Sequence, residues 1–298
     1  MYDKIKILMG GGVPSIALKA TGPFMCRGIM LLPTYNKSIG CIQYFDGKIR
    51  NLLIRMDVLR NQFWLTNSIH KFYLHYNYDD FYLSDAKDAF RELSDILGID
   101  VFTGTIKQIE YGCNIPVENK KLLLNSLVSY KCKDYAPMLD KGKRYGSKCT
   151  FIQHALKLYD KSFQVKKQDG ITIDPALCRW EAAVNYMQHL HKRGIAIHTV
   201  ADLVDYEKAQ YLVNDLIQKF LNTKKVATLN TAGLTLRENT AVARMSHPVI
   251  KAAVKANQPA TYRNDIRICN KILDGSESPY MDAVVGLIAD KCTELLNA

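Results

Sequence analysis

Residues 149–161, CTFIQHALKLYDK, alternate in character: Phe151, Gln153, Ala155, Lys157, Tyr159 and Lys161 fall on one side and the intervening residues on the other. A period of two over so short a stretch marks a β-strand with one face covered and one open. LCRWEAAVNYM at 177–187 repeats the pattern, with Arg179, Glu181, Ala183 and Asn185 opposite Trp180, Ala182 and Val184. TGTIKQIEYGCNI at 103–115 sets Ile106, Gln108 and Glu110 against Lys107, Ile109 and Tyr111. Glu110 and Glu181 are thus carboxylates inside otherwise apolar strands, where an unpaired charge is costly, so each calls for a cation, an arginine or a metal beside it.

Upstream, MYDKIKILM, GCIQYF, KIRNLLIRMDV and QFWLTNSI add further strands between glycine- or asparagine-marked turns. LSDAKDAFRELSDILG at 83–98 reads as a helix, with Ser84 as its cap, Phe90, Leu93, Ile96 and Leu97 at helical spacing and Gly98 as its stop. From Thr199 the texture turns helical: TVADLVDYEKAQYLVNDLIQKFL opens with a Thr-x-x-Asp cap. Segments around 235–244, 247–257 and 261–273, and MDAVVGLIADKCTELL at 281–296, continue it. The expected fold class is α+β, a central antiparallel sheet flanked by helices over 1–200, followed by a helical region over 201–298.

The chain has 298 residues with 48% hydrophobic content, enough for a core and unlike a disordered or coiled-coil chain. Its eight cysteines include no CxxC pair, which gives no sign of a zinc knuckle or a disulfide scaffold. No apolar run approaches membrane-spanning length, and the first residues read as a strand, so a cytoplasmic protein without membrane contact is expected. The net charge of +11 is uneven: residues 118–169 carry twelve Lys/Arg against five acids, a local net of +7. Such a surface attracts polyanions, DNA among them, through counterion release. Lys143, Arg144, Lys148, Lys157 and Arg179 are the candidate DNA contacts.

One chemistry uses these residues together. A divalent cation held by histidine and carboxylates polarises a phosphodiester, a tyrosine attacks phosphorus, and a neighbouring lysine lowers the tyrosine pKa or neutralises developing charge. Histidines for it occur in NSIHKFYLHYN at 67–77, as His70 and His75. Aromatics such as Trp64, Phe72 and Tyr73 are candidates for stacking on unpaired bases.

The succession NSIHKFYLHYN, IKQIEYGCNI, LKLYDKSFQ and LCRWEAAVNYMQHL resembles, in order and over residues 1–200, the replication initiators of filamentous single-stranded DNA phages and related rolling-circle plasmids, which are degenerate HUH-like endonucleases. The resemblance implies a palm-like nickase core. It places the nucleophile on Tyr159, the assisting lysine on Lys161, and a Mg2+ or Mn2+ site on His75, Glu110 and Glu181. Tyr76, Gln108 and Glu110 depart from that family's glycine, arginine and aspartate, and a full His-hydrophobe-His triplet is absent. The implied activity is nicking and rejoining of one origin strand through a 5′-phosphotyrosyl intermediate, with DNA, a host polymerase and a host helicase as partners. Two other readings use the same residues: an origin-binding protein without cleavage, and a metal-dependent nuclease using water. A tyrosine recombinase is disfavoured by the strand-rich first half.

Overall fold

The structure, a computed structural model, describes residues 1–225, 233–246, 248–274 and 279–297. Its first third is strand-rich as expected: β1 (Tyr2–Met9), α1 (Ser15–Lys19), β2 (Phe24–Cys26), β3 (Ile29–Tyr35), β4 (Ile42–Ile49), β5 (Leu52–Asp57) and β6 (Gln62–Ser68). Next come α2 (Ile69–Leu74), α3 (Leu83–Leu97) and β7 (Thr105–Pro116). The basic stretch is folded: α4 (Lys120–Ser126), β8 (Leu127–Tyr130), β9 (Lys133–Asp134), β10 (Ala136–Asp140) and β11 (Lys143–Thr150). Then follow β12 (His154–Asp160), α5 (Lys161–Asp169), β13 (Leu177–Val184), α6 (Gln188–His191), α7 (Val200–Leu203), α8 (Tyr206–Leu221) and β14 (Thr223–Lys225). The chain ends in α9 (Leu236–Ser246), α10 (Pro248–Asn257), α11 (Pro259–Asp274) and α12 (Pro279–Asn297). His247, at the start of one expected helix, lies outside the described residues.

Eleven strands form one antiparallel sheet in the order β10-β11-β12-β13-β7-β1-β6-β5-β4-β3-β2, and β14, β8 and β9 form a small second sheet. The α+β architecture is therefore as expected. The three strands singled out in the sequence lie side by side, because β13 pairs with β12 on one edge and with β7 on the other. Their covered face carries Leu156, Leu158, Trp180, Ala182, Tyr111 and Ile115, all buried. This face packs on α8 and α12: Trp180 meets Phe220 edge-on at 5.2 Å and donates its indole N–H to Leu216 O at 3.1 Å. Leu212, Leu216, Ile288, Cys292 and Leu295 belong to the same hydrophobic cluster as the sheet. The boundary expected near residue 200 thus falls inside a shared core, because α8 and α12 pack on the sheet's apolar face.

Local details depart from expectation. Helix α3 is capped by Tyr82, whose N–H donates to Asp85 Oδ2 at 2.9 Å, and Ser84 sits in the first turn instead. Gly98 ends the helix at φ 61°, as its freedom from a Cβ allows. Phe151 and Gln153 fall in the tight connection before β12. Asp160 caps α5 by accepting Phe163 N–H at 2.9 Å, so the chain leaves the strand between Tyr159 and Lys161. Among the described residues, no helix is long and apolar enough to cross a membrane.

Candidate active site

Alternation along the sheet gathers one set of side chains on the open face. Tyr159 stands opposite Arg179 on β13 and Gly146 on β11, while Lys157 stands opposite Glu181, which faces Gly112 on β7. The Tyr159 hydroxyl donates to Glu181 Oε2 at 3.0 Å. The Lys157 ammonium bridges both acids, 2.6 Å from Glu181 Oε1 and 3.0 Å from Glu110 Oε1. Arg179 Nε lies 3.4 Å from Glu181 Oε2, and its Nη1 lies 3.3 Å from Asp3 Oδ2 and donates to Asn77 O at 3.1 Å. Asn77 ties the loop after α2 into the cluster, donating to Asp3 Oδ2 at 2.9 Å and accepting from Lys161 Nζ at 2.9 Å.

The two glycines make this crowding feasible. A Cβ on Gly146 would stand 2.6 Å from the Tyr159 Cβ, and one on Gly112 would meet Trp180 O at 2.3 Å and the Glu181 Cβ at 2.7 Å. Strand glycines of this kind mark a close backbone approach. Gly112→Ala is expected to cost about 1–3 kcal/mol and to displace Glu181. A urea unfolding midpoint equal to that of the unsubstituted protein would contradict this packing.

Burial sets the electrostatics. Tyr159 is 5% exposed. Burial and then Glu181 push its hydroxyl well above the ordinary phenol range, so it rests as the neutral donor. Burial favours the neutral form of Lys157, but Glu181 and Glu110 outweigh it and the net shift is upward. For Asp3 burial acts upward, yet Arg179 and Ser68 prevail and hold the carboxyl at about 2. Lys161 contacts only neutral acceptors, Asn77 Oδ1 and Gln164 Oε1; burial and then Arg179 lower its ammonium to about 7.

The cluster opens into a cleft of about 500 Å³ whose lining includes Asp3, Lys4, Lys71, Asn77, Lys148 and Tyr159. Lys4, Lys71 and Lys148 make no ion pair among the described residues. Lys4 and Ser68 face each other across β1 and β6, as do Lys6 and Thr66, then Leu8 and Trp64. Further along the same sheet face lies a groove of about 1180 Å³ with Lys6, Tyr44, Lys48 and Trp64 in its lining. Lys6 Nζ stands 4.7 Å from the Trp64 ring centroid.

The structure brings Tyr159, Glu110 and Glu181 together with Lys157 and Arg179, and Lys148 lines the same cleft; Lys161 is 1% exposed, does not line the cleft, and joins the cluster through Asn77. Lys157 and Arg179, expected at DNA phosphates, are engaged by carboxylates within the cluster. Lys143 and Arg144 are exposed near the β10–β11 hairpin and do not line the cleft. His75 is exposed, with φ 69° at the C-terminal cap of α2, and does not line it either. His70 is buried against Phe81, with ring centroids 4.6 Å apart, and burial keeps it neutral. Phe72 is fully buried in the core, so it cannot stack on a base. Asp3 and Lys4 were not singled out from the sequence, although an acid in an apolar strand is the same cue that marked Glu110 and Glu181.

The donor set does not fit the expected Mg2+ or Mn2+ ion. Among the described residues no group of three or more His, Cys, Asp or Glu side chains converges as a metal cage. The carboxylate oxygens are already engaged by Lys157, Arg179, Tyr159, Ser68 and Asn77, leaving only Glu110 Oε2 without a partner. Mg2+ can be held by one or two carboxylates with water and substrate phosphate completing its shell, but here the two candidate carboxylates already share the Lys157 ammonium.

No family model and no curated protein matches this chain. Among solved structures, it is similar to a rolling circle replication initiator protein from Geobacillus stearothermophilus at 13% identity and a TM-score of 0.41, covering 79% of this chain and 91% of that one.

Proposed function

We propose that this chain is a rolling-circle replication initiator that nicks and rejoins one DNA strand through Tyr159. The observation carrying this reading is a phenol hydroxyl 3.0 Å from a buried carboxylate, set at a cleft with uncompensated lysines. A phenol hydrogen-bonded to a carboxylate has a proton acceptor within reach, which is what a tyrosine nucleophile requires.

In this reading the phosphates of a single strand meet Lys4, Lys71 and Lys148, while unpaired bases reach Trp64 and Tyr44 in the adjoining groove. The Tyr159 oxygen attacks phosphorus as its proton passes to Glu181 Oε2. The bond from phosphorus to the 3′-oxygen breaks, and that oxygen takes a proton from the Lys161 ammonium. The products are a 5′-phosphotyrosyl link and a free 3′-hydroxyl, which a host polymerase can extend while a host helicase opens the duplex. Arg179, whose Nε approaches Glu181 Oε2 to 3.4 Å as an ion pair without a hydrogen bond, offsets charge developing on the phosphoryl oxygens. Such a protein works in the cytoplasm.

If Lys161 acts as the acid, the rate of DNA capture falls as pH rises through about 7, where its amine loses the proton. A pH–rate profile measures this. In Lys161→Arg that alkaline limb is expected to vanish, and an unchanged profile would remove Lys161 from proton transfer.

The reading is tested by incubating the protein with a fully randomised pool of labelled single-stranded oligonucleotides, separating under denaturing conditions, and mapping any adduct by mass spectrometry. An adduct on the peptide containing Tyr159 is expected. One observation favours a second reading, a DNA binder without cleavage: the Tyr159 side chain is 5% exposed. Salt-sensitive DNA binding with no adduct would support it, and free 5′-phosphate products with no adduct would instead indicate a water-using nuclease.

A further inference from the structure

We infer that the Lys157 ammonium holds the place between Glu110 and Glu181 that a divalent cation would take, so that this centre excludes the ion and works without it. The catalytic half of this inference rests on the transesterase reading above; the exclusion of the ion does not.

Three observations converge. The ammonium lies within 3.0 Å of an oxygen on each acid, so any cation bridging the two must first displace it. Lys157 cannot easily leave, since its side chain is 17% exposed and rises from the middle of β12, held on both sides by β11 and β13. Finally, each acid already has a cation: Lys157 pairs with Glu110 and Glu181, and Arg179 with Glu181 and Asp3, so an added divalent ion would bring further positive charge to carboxylates that are already paired, where burial makes the excess expensive. Lys157, two residues before Tyr159 on the same strand face, also binds the other oxygen of the carboxylate that accepts the Tyr159 hydroxyl, so a fixed positive charge stands one carboxylate away from the attacking oxygen. That is the electrostatic work expected of a metal in such chemistry.

The decisive measurement uses the full-length chain after dialysis against a chelator, titrated with Mn2+ while the free-ion electron paramagnetic resonance signal is followed. The unsubstituted protein is expected to show no saturable uptake below about 1 mM, the weak end of protein oxygen sites. Lys157→Met is expected to acquire one site, at least tenfold tighter, that Glu110→Gln added to it removes. Uptake of one ion by the unsubstituted protein, lost in Glu110→Gln or Glu181→Gln, would overturn the inference. So would a Lys157→Met protein with unchanged circular dichroism and no gain in uptake. If Lys157→Met does not fold, the titration of the unsubstituted protein decides alone.

Covalent capture in EDTA adds the catalytic half. Capture that persists supports the lysine, and capture that is lost in EDTA and restored by Mn2+ overturns it while leaving Tyr159 as nucleophile. Were no adduct formed with or without metal, the transesterase reading would fail by itself and the ion titration would still stand.

Discussion

Tyr159→Phe is expected to lower covalent DNA capture by about 10³-fold or more, since loss of a nucleophile removes the whole covalent route. The substitution is well suited to the question because it leaves the ring in place. Gly146 beneath it and Arg179 beside it keep their packing, and Glu181 keeps Lys157 and Arg179 as partners. The lost hydrogen bond, made to a charged acceptor, is expected to cost about 1.5–3 kcal/mol, a shift of several degrees in melting temperature for a chain of this size. DNA binding measured by fluorescence anisotropy should be retained, because the cleft lysines are untouched. Full capture by the phenylalanine variant would take Tyr159 out of the chemistry and leave the basic cleft as a binding surface.

Glu181→Gln is expected to have the second largest effect, and on two measurements at once. Glu181 is 3% exposed and contacts Lys157, Tyr159 and Arg179, of which Arg179 is equally buried. Removing its charge leaves two cations short of a partner, a loss of about 3 kcal/mol or more, and removes the proton acceptor, a further 10²- to 10⁴-fold in capture rate. Glu110→Gln provides the contrast, since Lys157 keeps Glu181 and the Glu110 side chain is 19% exposed. The urea midpoint should therefore fall much further for the change at 181 than for the change at 110. Equal effects at both sites would show that the two acids share Lys157 evenly and that Glu181 has no separate role as base.

The strands of the site were legible because a two-residue period survives in single sequence. Glu110, Glu181 and Tyr159 were each found on the correct face of a real strand by that rule. Lys161 was placed on the strand too, but Asp160 caps a helix there, and the lysine arrives at the cluster from the first turn of α5. The histidine in LHYN could be read as a ligand from residue type. What the sequence could not convey is that the chain turns left-handed at His75 and sends Asn77 inward in its place.

The sequence by itself determined which strands form, which face of each is polar, and that acids, a phenol and an excess of lysine share those faces, because these are properties of local alternation and composition. Only the tertiary structure decided which charges meet. It put Asp3, at the far end of the chain, next to Arg179, and it aimed Lys157 at two carboxylates on neighbouring strands instead of at solvent. Strand order and register bring together residues up to about 180 positions apart in sequence, and pairing energies between such residues have no trace in the pattern of either segment taken alone.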